Sequence, residues 1–198
     1  MKVNKILIVM GEPQSIFSEI LFKYFVSKDF YVNKKIIILI GDKNLLQSHM
    51  KKLKYNLHLN LIEDINDASL RKVNILNVKY KNKKIFSKIS SDSKNYISNC
   101  FKKSLNINKN TKDIVLINGP VSKKHFLNKK YPGITEYISK KTKSKNQIML
   151  IFNNKLSVSP ISVHPLLALL LSCTPFRNEL FFSACSVDVC SKYSIVSQ

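Results

Sequence analysis

The chain has 198 residues, 44% of them hydrophobic and 10% aromatic, which is enough for one domain with a real core. Four glycines and six prolines exclude collagen-like and linker-like chains. The formal charge of +21 is almost all lysine, with Arg71 and Arg177 the two arginines, and the lysines are dispersed among Asn and Ile along the first 157 residues. Recognition of a polyanion calls for planar, bidentate arginine, so solvated lysine faces are the reading preferred over a nucleic-acid-binding protein. A small anionic substrate is compatible with the charge.

Lys5 to Met10 reads as a buried strand that ends at Gly11. From Ser15 to Lys28, Ile16, Phe17, Ile20, Leu21, Tyr24 and Phe25 recur at helical spacing. Lys35 to Ile40 is a second buried strand, closed by Gly41-Asp42, which can cap a helix running to Lys52. Short strands are expected over Asn56 to Ile62 and Val73 to Val78. Tyr80 to Ser93, rich in Lys, Asn and Ser, reads as a mobile loop. Lys94 to Leu105 is amphipathic, with Ile97, Cys100, Phe101 and Leu105 on one side. Asp113 to Ile117 is a strand ending in Asn118-Gly119-Pro120, with a short helix from Val121 and another from Thr135. Gln147 to Phe152 and Leu156 to Ile161 suggest one antiparallel hairpin around Asn153-Asn154. Strands alternating with helices imply an α/β fold with a largely parallel sheet.

Composition changes near Ser157: beyond it only Arg177 and Lys192 are basic, and three of the four cysteines, Cys173, Cys185 and Cys190, follow. No C-x-x-C spacing suggests a zinc knuckle, and the amino terminus does not read as a signal peptide, so a reduced, cytoplasmic setting is expected. Leu166 to Leu171 is aliphatic but too short for a membrane span, and Pro165 and Pro175 bracket it.

Four segments could carry chemistry. Gly11-Glu12-Pro13 stands at the carboxyl end of the first strand, where open α/β sheets place ligand loops. Ser18 could cap the helix that follows, and Glu19 suits its positive end. In Asn118-Gly119-Pro120-Val121-Ser122-Lys123, Gly119 permits close approach, the next helix offers N–H groups to an anion, and Lys123 adds a point charge. In Gly133-Ile134-Thr135-Glu136, Thr135 could be a helix N-cap or could hydrogen-bond a phosphate or hydroxyl. His164 ends a strand-like stretch and could ligate a divalent ion, although one histidine makes no metal site. His49 and His58 lie in Lys-rich segments, and His125 follows Ser122. No Gly-x-Gly-x-x-Gly, P-loop or Ser/His/Asp arrangement occurs.

In this order the four segments resemble the 4-hydroxythreonine-4-phosphate dehydrogenase family of vitamin B6 biosynthesis. Gly11-Glu12-Pro13-Gln14-Ser15-Ile16-Phe17-Ser18-Glu19 keeps the Gly, acid, Pro, Ile and Glu of the family's opening motif but loses two glycines and a proline. Asn118 to Lys123 is similar to Thr-Gly/Ala-Pro-x-x-Lys, Gly133 to Glu136 to Gly-His-Thr-Glu with Ile134 in place of His, and Ser162-Val163-His164 to Thr-Thr-His. The resemblance covers about residues 1 to 165. It implies a three-layer α/β/α sandwich of the isocitrate/isopropylmalate dehydrogenase type, here incomplete, and a homodimer.

The implied chemistry is NAD-dependent oxidation of 4-phosphohydroxythreonine to a 3-oxo acid that decarboxylates, assisted by a divalent ion (zinc, magnesium or cobalt). By position, His164 matches a metal ligand, Thr135 a substrate-binding residue and Lys123 the family's lysine. No catalytic or NAD-contacting residue is assigned, and no histidine follows His164. The expected division is 1–164, the amino-terminal part of a dehydrogenase domain, and 165–198, a tail replaced by frameshift or fusion. Such a chain is expected to turn over little or no substrate. The alternatives are a non-catalytic phosphate-binding fragment and, with less support, a basic nucleic-acid-binding protein. No membrane partner is expected.

Overall fold

The computed structural model describes residues 4–81, 84–111, 113–144, 148–152, 157–159 and 195–196. Five strands, β1 (Lys5–Val9), β2 (Ile36–Gly41), β3 (Leu59–Ile62), β4 (Val73–Asn77) and β5 (Ile114–Asn118), pair in parallel in the order β3-β4-β2-β1-β5. These are uninterrupted aliphatic runs, as strands covered on both faces must be. Alternate side chains separate into two cores. Leu7, Val9, Ile38, Ile40 and Leu116 meet Ile97, Cys100 and Phe101 of helix α4 (Lys94–Asn110) and Tyr137 and Ile138 of helix α5 (Ile134–Thr142). Ile8, Ile37, Leu39 and Ile75 meet α1 (Phe17–Phe25), α2 (Lys28–Val32) and α3 (Lys43–Leu53) through Phe22, Phe25, Phe30 and Leu46. This is the three-layer α/β/α sandwich. Each fully buried Phe or Leu adds about 1.5–3 kcal/mol of hydrophobic stabilisation before entropy is charged.

Several local expectations are corrected. The first helical segment ends at Phe25, and a separate turn of helix follows Ser27. Its inward face is Ser18, Leu21, Phe22 and Phe25, while Ile16 and Ile20 are 68% and 53% exposed. Ser18 does not cap: Ile16 occupies that position without a side-chain bond, and the Ser15 hydroxyl donates to the Glu12 carbonyl at 2.7 Å. Asp42 does cap α3, its Oδ1 accepting from Leu45 N–H at 2.7 Å. α4 runs past Leu105 to Asn110.

The described residues from Tyr80 on make specific contacts with the rest of the fold. Tyr80 N–H donates to Asp42 Oδ2 at 2.9 Å, and Ser87 N–H to Gln14 Oε1 at 2.8 Å. The Gln14 amide donates in turn to the Lys84 carbonyl, Phe86 stacks on His49, and residues 91–93 form a helical turn. The antiparallel pair occurs as β6 (Ile151–Phe152) and β7 (Ser157–Val158), but as its own two-stranded sheet outside the parallel one. The backbone of β8 (Ile195–Val196) pairs in parallel with β5.

Cys100 is buried, and burial pushes its thiol up to about 12, so it is an inert core side chain. Among the described residues no helix is long and apolar enough to cross a membrane. The run Leu166 to Leu171 and the other three cysteines lie outside the described residues.

Candidate functional site

β1 and β5 are neighbours, but the chain leaves β1 toward β2 on one side and returns from β4 through α4 to β5 on the other. Their carboxyl ends therefore form the topological switch point, where open α/β sheets hold ligands. The two loops there touch directly. Gly119 N–H donates to the Val9 carbonyl at 2.7 Å, and Glu12 N–H to the Pro120 carbonyl at 2.8 Å. The glycines permit this. Gly11 has φ +68°, and a Cβ on it would stand 2.4 Å from the Pro120 carbonyl oxygen. A Cβ on Gly119 would stand 2.6 Å from the Met10 carbonyl oxygen. Neither contact can be relieved by turning a side chain.

The Glu12 carboxylate does not project into an open crevice. It is 3% exposed, and its Oε2 accepts from the Ser93 hydroxyl at 2.9 Å, just before the first residue of α4. Burial pushes its pKa above the usual carboxylate value, while the Ser93 hydroxyl, the Gln14 N–H and nearby His125 pull it back. His125 Nδ1 lies 3.5 Å from the Ser91 hydroxyl. A small polar group of Glu12, Ser91, Ser93 and His125 thus joins the β1 loop, the start of α4 and the turn after β5.

That turn, Lys123–Leu127, is a single wide helical turn of the π type, starting two residues after the Val121 expected for a short helix there. The Ser122 hydroxyl accepts from His125 N–H at 3.1 Å, so one donor expected to face an anion is already taken. Lys123 is exposed at the turn's start. Thr135 is half-buried at the second position of α5 and is not its cap: Gly133 is, with no side-chain bond. α5 joins the Lys123 turn through Phe126 and Tyr137, whose ring centroids are 5.0 Å apart. Lys123 and the Glu12 cluster therefore belong to the loops at the switch point, and Thr135 to the adjoining helix α5. His164 lies outside the described residues.

Among the described residues, no three His, Cys, Asp or Glu side chains gather where they could hold a metal ion. They do not by themselves form a metal centre.

His49, read as lying in a Lys-rich segment, is 2% exposed, and burial lowers its pKa to about 4. Its ring stacks on Phe86 with centroids 4.6 Å apart. The signal was present in Leu45, Leu46, His49, Met50 and Leu53, a helical stripe in which His49 takes an inward position. Ser18 is likewise inward with Leu21, Phe22 and Phe25. Ser91 and Ser93 carry no such signal.

The family profile described as pyridoxal phosphate biosynthetic protein PdxA matches residues 33–175, most of the chain. The chain belongs to the PdxA family. The match runs through the composition change near Ser157 and ends inside the tail.

Solved structures agree on the fold. A 4-hydroxythreonine-4-phosphate dehydrogenase from Burkholderia phymatum superposes with TM-score 0.69 at 18% identity, over 80% of this chain and 49% of that one. The 4-hydroxythreonine-4-phosphate dehydrogenase from Klebsiella pneumoniae gives TM-score 0.69 at 17% identity, over 86% of this chain and 54% of that one. The chain thus spans about half the length of these two proteins. No curated protein matches it by sequence.

Proposed function

We propose that this PdxA-family chain derives from an NAD-dependent, metal-assisted dehydrogenase that oxidises 4-phosphohydroxythreonine to a 3-oxo acid, which then decarboxylates. The observation that supports the reading is the switch point itself, where two glycine-bearing loops pack against each other and Lys123 follows three residues after Pro120. Lys123 supplies a point charge for the substrate phosphate, and Thr135 a hydroxyl for a second polar group. The first metal ligand would be His164, with zinc, magnesium or cobalt as the ion, and the assembly would be a cytoplasmic homodimer. NAD, when bound, would accept the hydride.

As it stands, the chain binds a phosphorylated substrate but does not turn it over. The chain spans about half the length of its structural relatives, and hydride transfer needs substrate, metal and cofactor held in one geometry.

The test is an incubation of the purified chain with 4-phosphohydroxythreonine, NAD and each of the three metals. The expected result is no NADH, together with protection of Lys123 from amine labelling by the substrate. NADH formation would overturn the inactivity. Labelling of Lys123 at the same rate with and without substrate would overturn the substrate site. Steep salt dependence of duplex DNA binding would favour the nucleic-acid alternative. Reading codons 155 to 198 in all three frames tests the origin proposed for residues 165–198: a Lys-rich continuation with further histidines in another frame supports a frameshift.

A further inference from the structure

Four buried side-chain atoms among the described residues have no hydrogen-bond partner in the protein: Glu12 Oε1, Ser18 Oγ and both ring nitrogens of His49. All three residues are at most 3% exposed, and all three line one cavity. Met10, Leu46 and Tyr96 close its sides. The Tyr96 hydroxyl is engaged elsewhere, accepting from Asp42 N–H at 3.1 Å. The space is just large enough to admit one water molecule. Orphaned polar atoms cost free energy singly, and three residues that carry them on the wall of one small space mark a site for a polar occupant.

The chemistry of the wall sets what fits. Neutral imidazole offers one N–H donor and one lone pair, the Glu12 oxygen accepts, and the Ser18 hydroxyl can do either. One water molecule can bond Glu12 Oε1, the Ser18 hydroxyl and one of the two His49 nitrogens, which point to opposite sides of the ring, whereas an apolar atom bonds none of them. We propose that this cavity is a specific binding site for one water molecule, which bridges Glu12 Oε1, Ser18 and His49 and so ties the β1 loop to α1 and α3. The bridge holds Glu12 by Oε1 while Ser93 holds it by Oε2, so both carboxylate oxygens of the loop residue are engaged. The switch-point wall is thereby set by a buried hydration site as well as by the loop-to-loop hydrogen bonds.

The test combines a high-resolution crystal structure of the 198-residue protein with water-to-protein cross-relaxation at the His49 ring protons. The expected result is one ordered water within hydrogen-bonding distance of Glu12 Oε1 and a His49 nitrogen, with a matching long-lived water signal. Ser18→Val, whose extra methyls occupy the cavity, is expected to lose that signal and to lower Tm by several degrees more than Ser18→Ala, which leaves the space open. A dry cavity, an anomalous signal from a metal ion in it, or equal Tm values for the two variants would each overturn the proposal. The wild-type measurement decides the matter even if Ser18→Val fails to fold.

Discussion

His49 shows how a single residue sets the pH response of this fold. An imidazole in the unfolded chain takes up a proton near pH 6.5, but the buried ring of His49 does so near 4. Between those values the unfolded state binds more protons, so stability falls as the solution is acidified through this window. The full loss is roughly 3 kcal/mol. Glu12 acts in the opposite sense: its raised pKa means the folded state holds its proton longer, so that contribution fades as pH rises above the unfolded carboxylate value. His49→Leu is expected to flatten the decline between pH 6.5 and 4, read as urea midpoints across that range. A slope unchanged from the parent would show that His49 is not the group responsible.

The two glycines make a second residue-scale case. Gly11→Ala places a Cβ against the Pro120 carbonyl in a left-handed backbone, and Gly119→Ala places one against the Met10 carbonyl. Each is expected to cost about 1–3 kcal/mol, because the obstructing atoms are backbone and the loops must part. Denaturant melts of the two variants check this. A parental midpoint for both would mean that the loops do not pack as described.

At the scale of elements, Asp42 joins three pieces. Its Oδ1 caps α3, its Oδ2 accepts from Tyr80 N–H after β4, and its own N–H donates to Tyr96 of α4. Asp42→Ala removes both side-chain acceptors from a buried position and is expected to cost about 2–3 kcal/mol, more than an exposed cap. Hydrogen exchange should then quicken first in α3 and around Tyr80. Uniform quickening over the whole sheet would contradict the local role.

The strands were legible because parallel strands covered on both faces must be continuous apolar runs, and β1, β2 and β5 are just that. The Asp42 cap was legible for the same local reason. Helix faces were harder. Ile16 and Ile20 fit a helical period yet point outward, because Phe22 and Phe25 fill the inner layer. The Ser-rich stretch before α4 offered no period at all. Its order comes from Gln14, Glu12 and His125, partners far away in sequence whose pairing only the fold reveals. The candidate site was therefore half readable: its two loops could be placed, but the inward turn of Glu12 could not.

At the scale of the whole molecule, the sheet order and the short chain act together. β1 and β5 lie inside the parallel sheet, and this chain spans about half of the relatives' length. The segment around β6 and β7 carries large apolar side chains in solvent: Ile148, Leu150, Ile151, Phe152 and Val158 are 41–67% exposed. Surface apolar residues scattered singly are ordinary, but five within a short hairpin segment form a contiguous liability. Among the described residues these two short strands pair only with each other, which leaves unpaired backbone at their edges. The high positive charge opposes association through repulsion, so self-association should strengthen as salt screens the lysines. Sedimentation at low and physiological ionic strength is expected to show a rising share of oligomer for the parent chain. The double variant Ile151→Lys, Phe152→Ser should stay monomeric at both, with an unchanged far-ultraviolet spectrum, since neither side chain belongs to either core. A parent chain that is monomeric at both salt levels, or a variant that associates as the parent does, would show that the hairpin is not the sticky surface.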